Sequence, residues 1–185
     1  MSKGVFTFAT LMILHGGSAN TNYPELNPEL EMYQDITRVF PLTEAWYMVY
    51  RNYEEDPAFG TSKCLGFSQV APEEDGGYPT MVEYGDGTQS ANALITFEST
   101  EGYTSKNRLN YLPEGQEESL TLYVAYMDVG KCTVFRNVYV KEDACCVVVP
   151  KSLLGQSTIY CDFAYDLLCG TKKYNISDAS CQKED

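Results

Sequence analysis

The stretch SLTLYVAYMDVGKCTVFRNVYVKEDACCVVV, residues 119–149, reads as three short runs rich in β-branched and aromatic residues: 119–127, 131–140 and 144–149. Val129-Gly130 separates the first two at hairpin length. Leu120, Leu122 and Val124 alternate with period two, so they share one face of a strand. The same texture continues upstream, in 45–53 (AWYMVYRNY), 63–70 (KCLGFSQV), 79–84 (PTMVEY), 91–98 (ANALITFE) and 106–112 (KNRLNYL). Turn chemistry falls between these runs: Asp56-Pro57, Glu74-Asp75-Gly76-Gly77, Gly85-Asp86-Gly87, Glu101-Gly102 and Pro113-Glu114-Gly115. Eight short strands joined by such turns predict a mainly β fold, an antiparallel up-and-down barrel or a sandwich. Closing the sheet removes its exposed edges, which favours the barrel for a monomer. The interior is then the destination of the Leu120, Leu122 and Val124 face.

A helix is expected on each side of the strands. Asn27-Pro28 offers an N-cap and a first-turn proline, and Leu30, Tyr33, Ile36 or Thr37, and Phe40 recur at helical spacing. An amphipathic helix over about 28–39 follows, ended near Pro41. After the last strand, Ser157 caps a helix over Thr158–Cys169 with Gly170 as its stop. Ile159, Phe163 and Leu167 form a stripe for packing on the barrel wall.

Residues 1–19 read as a secretory signal. Lys3 gives the positive start, Val5–Leu14 a short apolar run, and Gly17-Ser18-Ala19 the small residues of a cleavage site. The run is too short to span a bilayer, and no later segment is long enough. Residues 20–185 are then one secreted domain. Cleavage removes His15, the only histidine of the chain, and with it Ser-His-Asp, Cys-His and histidine-ligated zinc chemistry. Glu54-Glu55-Asp56 is an acidic cluster, but neighbours on one turn do not face each other across a sugar. The chain is therefore read as a non-enzyme with no cofactor. Its formal net charge of −13 argues against nucleic acid and anionic membranes as partners and favours steering of cations. Seven cysteines, Cys64, Cys132, Cys145, Cys146, Cys161, Cys169 and Cys181, predict disulfides in an oxidising compartment and leave one thiol over. No CxxC pair is present, so no metal site is expected. Asn175-Ile176-Ser177 is the one N-glycosylation sequon.

The run Trp46-Tyr47-Met48-Val49-Tyr50-Arg51-Asn52-Tyr53-Glu54-Glu55-Asp56-Pro57-Ala58-Phe59-Gly60, followed by Cys64, resembles the tick salivary lipocalins of the histamine-binding family. Its specific part is Tyr-x-x-Asp-Pro-x-x-Gly; Cys132, Cys161 and Cys181 add matching spacing. The resemblance covers about residues 28–181. It implies an eight-stranded lipocalin-type barrel and the disulfides Cys64–Cys181 and Cys132–Cys161. Some members carry a third, here Cys145–Cys169, which leaves Cys146 unpaired.

The resemblance also implies a small-molecule ligand, a biogenic amine such as histamine or serotonin, held by buried carboxylates within aromatic rings. Tyr53 and Asp56 fall on the family's tyrosine and aspartate at the barrel mouth, and Phe59 stands where many members have tryptophan. Glu98 and Tyr111 match a family acid and a pocket aromatic. Leu120 and Leu122 stand where amine binders carry an aromatic and an aspartate. Cys145-Cys146-Val147-Val148 replaces the family's Cys-Glu-Leu-Trp, so Cys146 takes the place of an inward glutamate. One amine site is thus expected to be lost and another to persist around Asp56 and Glu98. A lined apolar cavity would instead suit a fatty acid, eicosanoid or sterol. Some relatives engage host immune proteins through outer loops, which the acidic surface would also allow.

Overall fold

A computed structural model describes residues 23–181. The expected signal, residues 1–19 with His15, lies outside the described residues. Eight antiparallel strands follow one another round a barrel: β1 (Trp46–Arg51), β2 (Gly66–Gln69), β3 (Gly77–Tyr84), β4 (Gln89–Glu98), β5 (Arg108–Pro113), β6 (Leu120–Asp128), β7 (Cys132–Arg136) and β8 (Cys145–Pro150). Each pairs with its sequence neighbour, and β8 returns to β1, where Trp46 lies opposite Pro150 and Arg51 opposite Cys146. The first residues of β1 also pair with β2, Trp46 with Phe67 and Tyr47 with Gly66. The sheet is closed. A short ninth strand not expected from sequence, β9 (Tyr174–Asn175), pairs with the second half of β1 at Tyr50 and Arg51.

Alternation sorts the side chains into two cores. Trp46, Met48, Ile95, Leu109, Tyr111, Val124, Phe135, Cys146 and Val148 fill the interior. Tyr47, Tyr50, Val134, Cys145, Val147 and Val149 face outward. Two bulges change the count. The register shifts between Met48 and Tyr50, which turns Tyr50 outward and Arg51 inward. A second shift between Val124 and Tyr126 brings Met127 inward and leaves Tyr126 outside.

The outer core is covered by α1 (Ile159–Cys169), the C-terminal helix, but not by the face expected. Ile159, Phe163 and Leu167 are about 70% exposed, at 72%, 69% and 71%, and Tyr160 joins them at 65%. Cys161, Ala164, Tyr165 and Leu168 pack on the wall instead. The disulfides decide the face: Cys161 is bonded to Cys132 on β7 and Cys169 to Cys145 on β8. Those two anchors turn the apolar stripe of the sequence to solvent. Thr158, rather than Ser157, is the N-cap residue, with no side-chain capping bond.

The expected N-terminal helix is also absent. Two short 3-10 turns, Pro28–Tyr33 and Ile36–Arg38, stand in its place. Asn27 caps the first by accepting from the Glu29 amide at 3.1 Å. Asp35 then starts a new turn, its carboxylate accepting from the Thr37 amide and hydroxyl at 3.2 and 2.7 Å. Between them Gln34 is fully buried. Its amide donates to the Glu25 and Ala125 carbonyls, at 2.6 and 3.2 Å, and accepts from the Tyr103 hydroxyl at 2.9 Å. This polar anchor fixes the chain where a continuous helix would carry Gln34 away. Leu30 and Tyr33 are left at the surface, and Ile36 is the buried residue of the pair of turns.

The third disulfide, Cys64–Cys181, ties the chain before β2 to the C-terminal segment across 117 residues of sequence. Cys146 is the free cysteine. The three pairs are those that the family resemblance implies. Replacing Cys145 and Cys169 together by alanine is expected to lower unfolding stability by about 3 kcal/mol, because a loop of this size is released in the unfolded chain. Urea titration reads this, and an unchanged midpoint would show the bridge to be absent or without effect. Unreduced peptide maps should return three bridged pairs, with Cys146 alkylated only after unfolding.

Candidate ligand site

The barrel interior holds a cavity of about 80 Å³, several times what one water requires. One end is closed by the segment before β1. Phe40 packs there tilted against Tyr78 and edge-on against Phe97, with ring centroids 5.0 and 4.8 Å apart, and Ile36 and Leu42 complete the floor. The other end is covered by the β1–β2 connection, whose Phe59 meets Tyr84 and Tyr111 edge-on at 5.6 and 6.0 Å. Between the ends the walls are apolar, with Trp46, Met48, Ile95, Leu109, Phe135 and Val148 among them. Phe59, Tyr111, Leu120, Leu122 and Cys146 also line this space. Among the described residues, none that lines it carries a charge.

Tyr53 and Asp56 lie behind the cavity, in a polar plug beneath the β1–β2 connection. Arg51 and Asp56 are both fully buried side chains, with Nη1 and Oδ2 3.6 Å apart. Arg51 also donates to three carbonyls of the connection: Nε to Tyr53 at 3.1 Å, and Nη2 to Glu54 and Gly60 at 2.7 Å each. The Asp56 carboxylate is equally occupied. Oδ1 accepts from the Ala58 and Phe59 amides at 2.9 and 3.3 Å, and Oδ2 from the Tyr139 and Tyr53 hydroxyls at 2.8 and 3.2 Å. Burial, with the neighbouring Asp56 adding to it, holds both phenols far above the usual tyrosine range, so both stay protonated donors. Asn137 completes the plug by donating to the Tyr53 hydroxyl at 2.6 Å.

Asp56 therefore has an internal counter-ion and no vacant oxygen for an ammonium. The expected pairing of Asp56 with Glu98 does not occur either. Glu98 ends β4 beside Phe97 and the Phe40 floor, whereas β4 begins near the Phe59 end. Its side chain is half exposed and ion-paired with Arg108 on β5. The register of β4 puts the two carboxylates at opposite ends of the barrel. The two acids around which the resemblance puts an amine site are thus not brought together.

Cys146 faces inward where the resemblance puts a glutamate. Burial pushes its thiol up to about 12, the Asn137 side chain opposing this only partly, so it is a neutral thiol at physiological pH. Its Sγ lies 3.4 Å from the Asn137 amide nitrogen. Sequence reasoning assigned no role to Trp46, Arg51, Thr133, Asn137 or Tyr139. Trp46 was legible, because it alternates with Met48. Asn137 and Tyr139 were placed inside a seventh strand over 131–140, but β7 stops at Arg136 and the chain turns there into the plug. Asn175 of the sequon is exposed on β9.

A closed eight-stranded barrel with an apolar, aromatic-lined hollow and a strap across each end defines a lipocalin-type ligand-binding protein. A solved structure, apocrustacyanin C2, is similar in fold with a TM-score of 0.51 at 11% identity, covering 73% of this chain and 76% of that one. No curated protein matches the chain in sequence. The family model described as tick histamine binding protein matches residues 24–183, and the chain belongs to that family. Among the described residues no helix is long and apolar enough to cross a membrane, and no cluster of three metal-ligating side chains forms.

The plug makes a distinct prediction. Asp56→Asn removes the anion facing a fully buried guanidinium, which is expected to cost about 3–5 kcal/mol of stability. A ligand-holding carboxylate would behave oppositely: its loss would weaken binding and leave stability intact. Urea unfolding of Asp56→Asn separates the two.

Proposed function

We propose that this protein is a secreted scavenger that sequesters a small, uncharged, largely apolar host mediator at the feeding site. The observation that carries this is the charge-free lining of the cavity, with Asp56 satisfied by Arg51. A buried ammonium without a partnering anion carries a desolvation penalty of several kcal/mol. An apolar guest gains roughly 25 cal/mol for each Å² it removes from water. Phe59, Tyr111, Trp46 and Phe135 supply flat surfaces for an aromatic or unsaturated guest. Three disulfides suit an extracellular setting. Membership of the histamine-binding family favours a second reading, in which the guest is a biogenic amine. That reading requires a carboxylate to turn into the cavity on binding.

Trp46 is the single tryptophan and lines the cavity, so its fluorescence reports occupancy. Titration with histamine, serotonin, the methyl esters of arachidonic acid and of a leukotriene, and cholesterol tests the proposal. One or more of the apolar ligands is expected to bind with micromolar or tighter affinity, and histamine no tighter than millimolar. Submicromolar histamine binding with no response to the apolar set would replace the first reading by the second.

A further inference from the structure

We propose that the Thr133 hydroxyl anchors the ligand, and that the ligand is an apolar molecule carrying one uncharged oxygen, as an alcohol, phenol or carbonyl. The inference rests on the cavity being the ligand site, and it deepens that reading by naming what the guest must carry.

Thr133 lies on β7 between Met127 of β6 and Val148 of β8, with its side chain in the cavity lining. It is 1% exposed. Its Oγ1 is buried and has no hydrogen-bond partner. A buried hydroxyl without a partner is destabilising, and valine has nearly the same shape without that cost. Its neighbours across the strands are Met127 and Val148, with Met48 beyond Val148 and Phe135 two residues along β7, and none has an oxygen or nitrogen in its side chain. The polar groups farther along are already committed: Asn137 donates to Tyr53 and Tyr139 to Asp56. Thr133 thus puts an unpartnered hydroxyl, with a donor and an acceptor to offer, in the wall of an apolar hollow. A carbonyl oxygen of the guest accepts from it, and a guest hydroxyl accepts from it or donates to it. A charged group is disfavoured at the same place, because no counter-charge lines the cavity.

The isosteric probes p-cresol and p-xylene, which differ by hydroxyl against methyl, test this by calorimetric titration against wild type, Thr133→Val and Thr133→Ser. Thr133→Val is expected to weaken p-cresol about tenfold and to leave p-xylene unchanged or slightly tighter, the loss of one buried hydrogen bond. Thr133→Ser, which keeps the hydroxyl, is expected to retain p-cresol affinity within a few-fold. Melting curves confirm that each variant is folded before titration. Equal effects of Thr133→Val on both probes, or none on either, would overturn the assignment of Thr133 while leaving the cavity as the site. Failure of wild type to bind either probe would overturn the cavity reading itself.

Discussion

The buried pair of Arg51 and Asp56 organises the end of the barrel that the β1–β2 connection covers. A guanidinium removed from water requires both a counter-charge and acceptors for its N–H groups. Asp56 supplies the charge, and the Tyr53, Glu54 and Gly60 carbonyls supply the acceptors. Every one of those groups lies on the β1–β2 connection, so one side chain at the end of β1 folds that connection back over the opening. Phe59 is carried with it and becomes the aromatic cover of the cavity. The bulge near Val49 is what makes this possible. Without the extra residue, strict alternation would set Tyr50 inward and Arg51 out to solvent.

The same pair settles the chemistry of the hollow. An aspartate that accepts from two amides and two phenols, and faces an arginine, stabilises the scaffold rather than a guest. The Asp56 carboxylate is therefore occupied within the plug, and the cavity beside it is lined by uncharged side chains. In this member of the family described as tick histamine binding protein, the aspartate of the matching run is ion-paired with a buried arginine. The substitutions by Leu120, Leu122, Cys146 and Val148 act in the same direction, each lining the wall with a side chain that holds no charge at neutral pH.

Much of the fold was legible in the sequence because strand alternation is a local signal. The eight runs land within a few residues of the strands, and the inward face of Leu120, Leu122 and Val124 follows from period two alone. The helices were less legible because their faces are fixed by distant partners. The periodicity of Ile159, Phe163 and Leu167 is real, yet Cys161 and Cys169 are bonded to the barrel and decide the orientation. Taken together, those two bonds would have given the buried face, since Cys161, Tyr165 and Cys169 recur every four residues along the helix. At the N-terminus, Gln34 is held by groups as far away as Ala125, which no local pattern announces. The site failed in the same manner. The resemblance points to Asp56 as a ligand-holding acid at the barrel mouth, but no pattern in the sequence announces that Arg51, five residues earlier, turns inward at a bulge to face it. Thr133 was invisible because a threonine in a strand is ordinary until its hydroxyl proves to have no partner.

The most direct test follows the Asp56 carboxylate itself, by its carbon-13 side-chain resonance in labelled protein as histamine is added to saturation. An unmoved resonance is the predicted result, since its oxygens remain ion-paired with Arg51 and hydrogen-bonded to Tyr53, Tyr139 and the loop amides. A shift that tracks histamine concentration would show the carboxylate leaving Arg51 for the ligand, and would contradict the account.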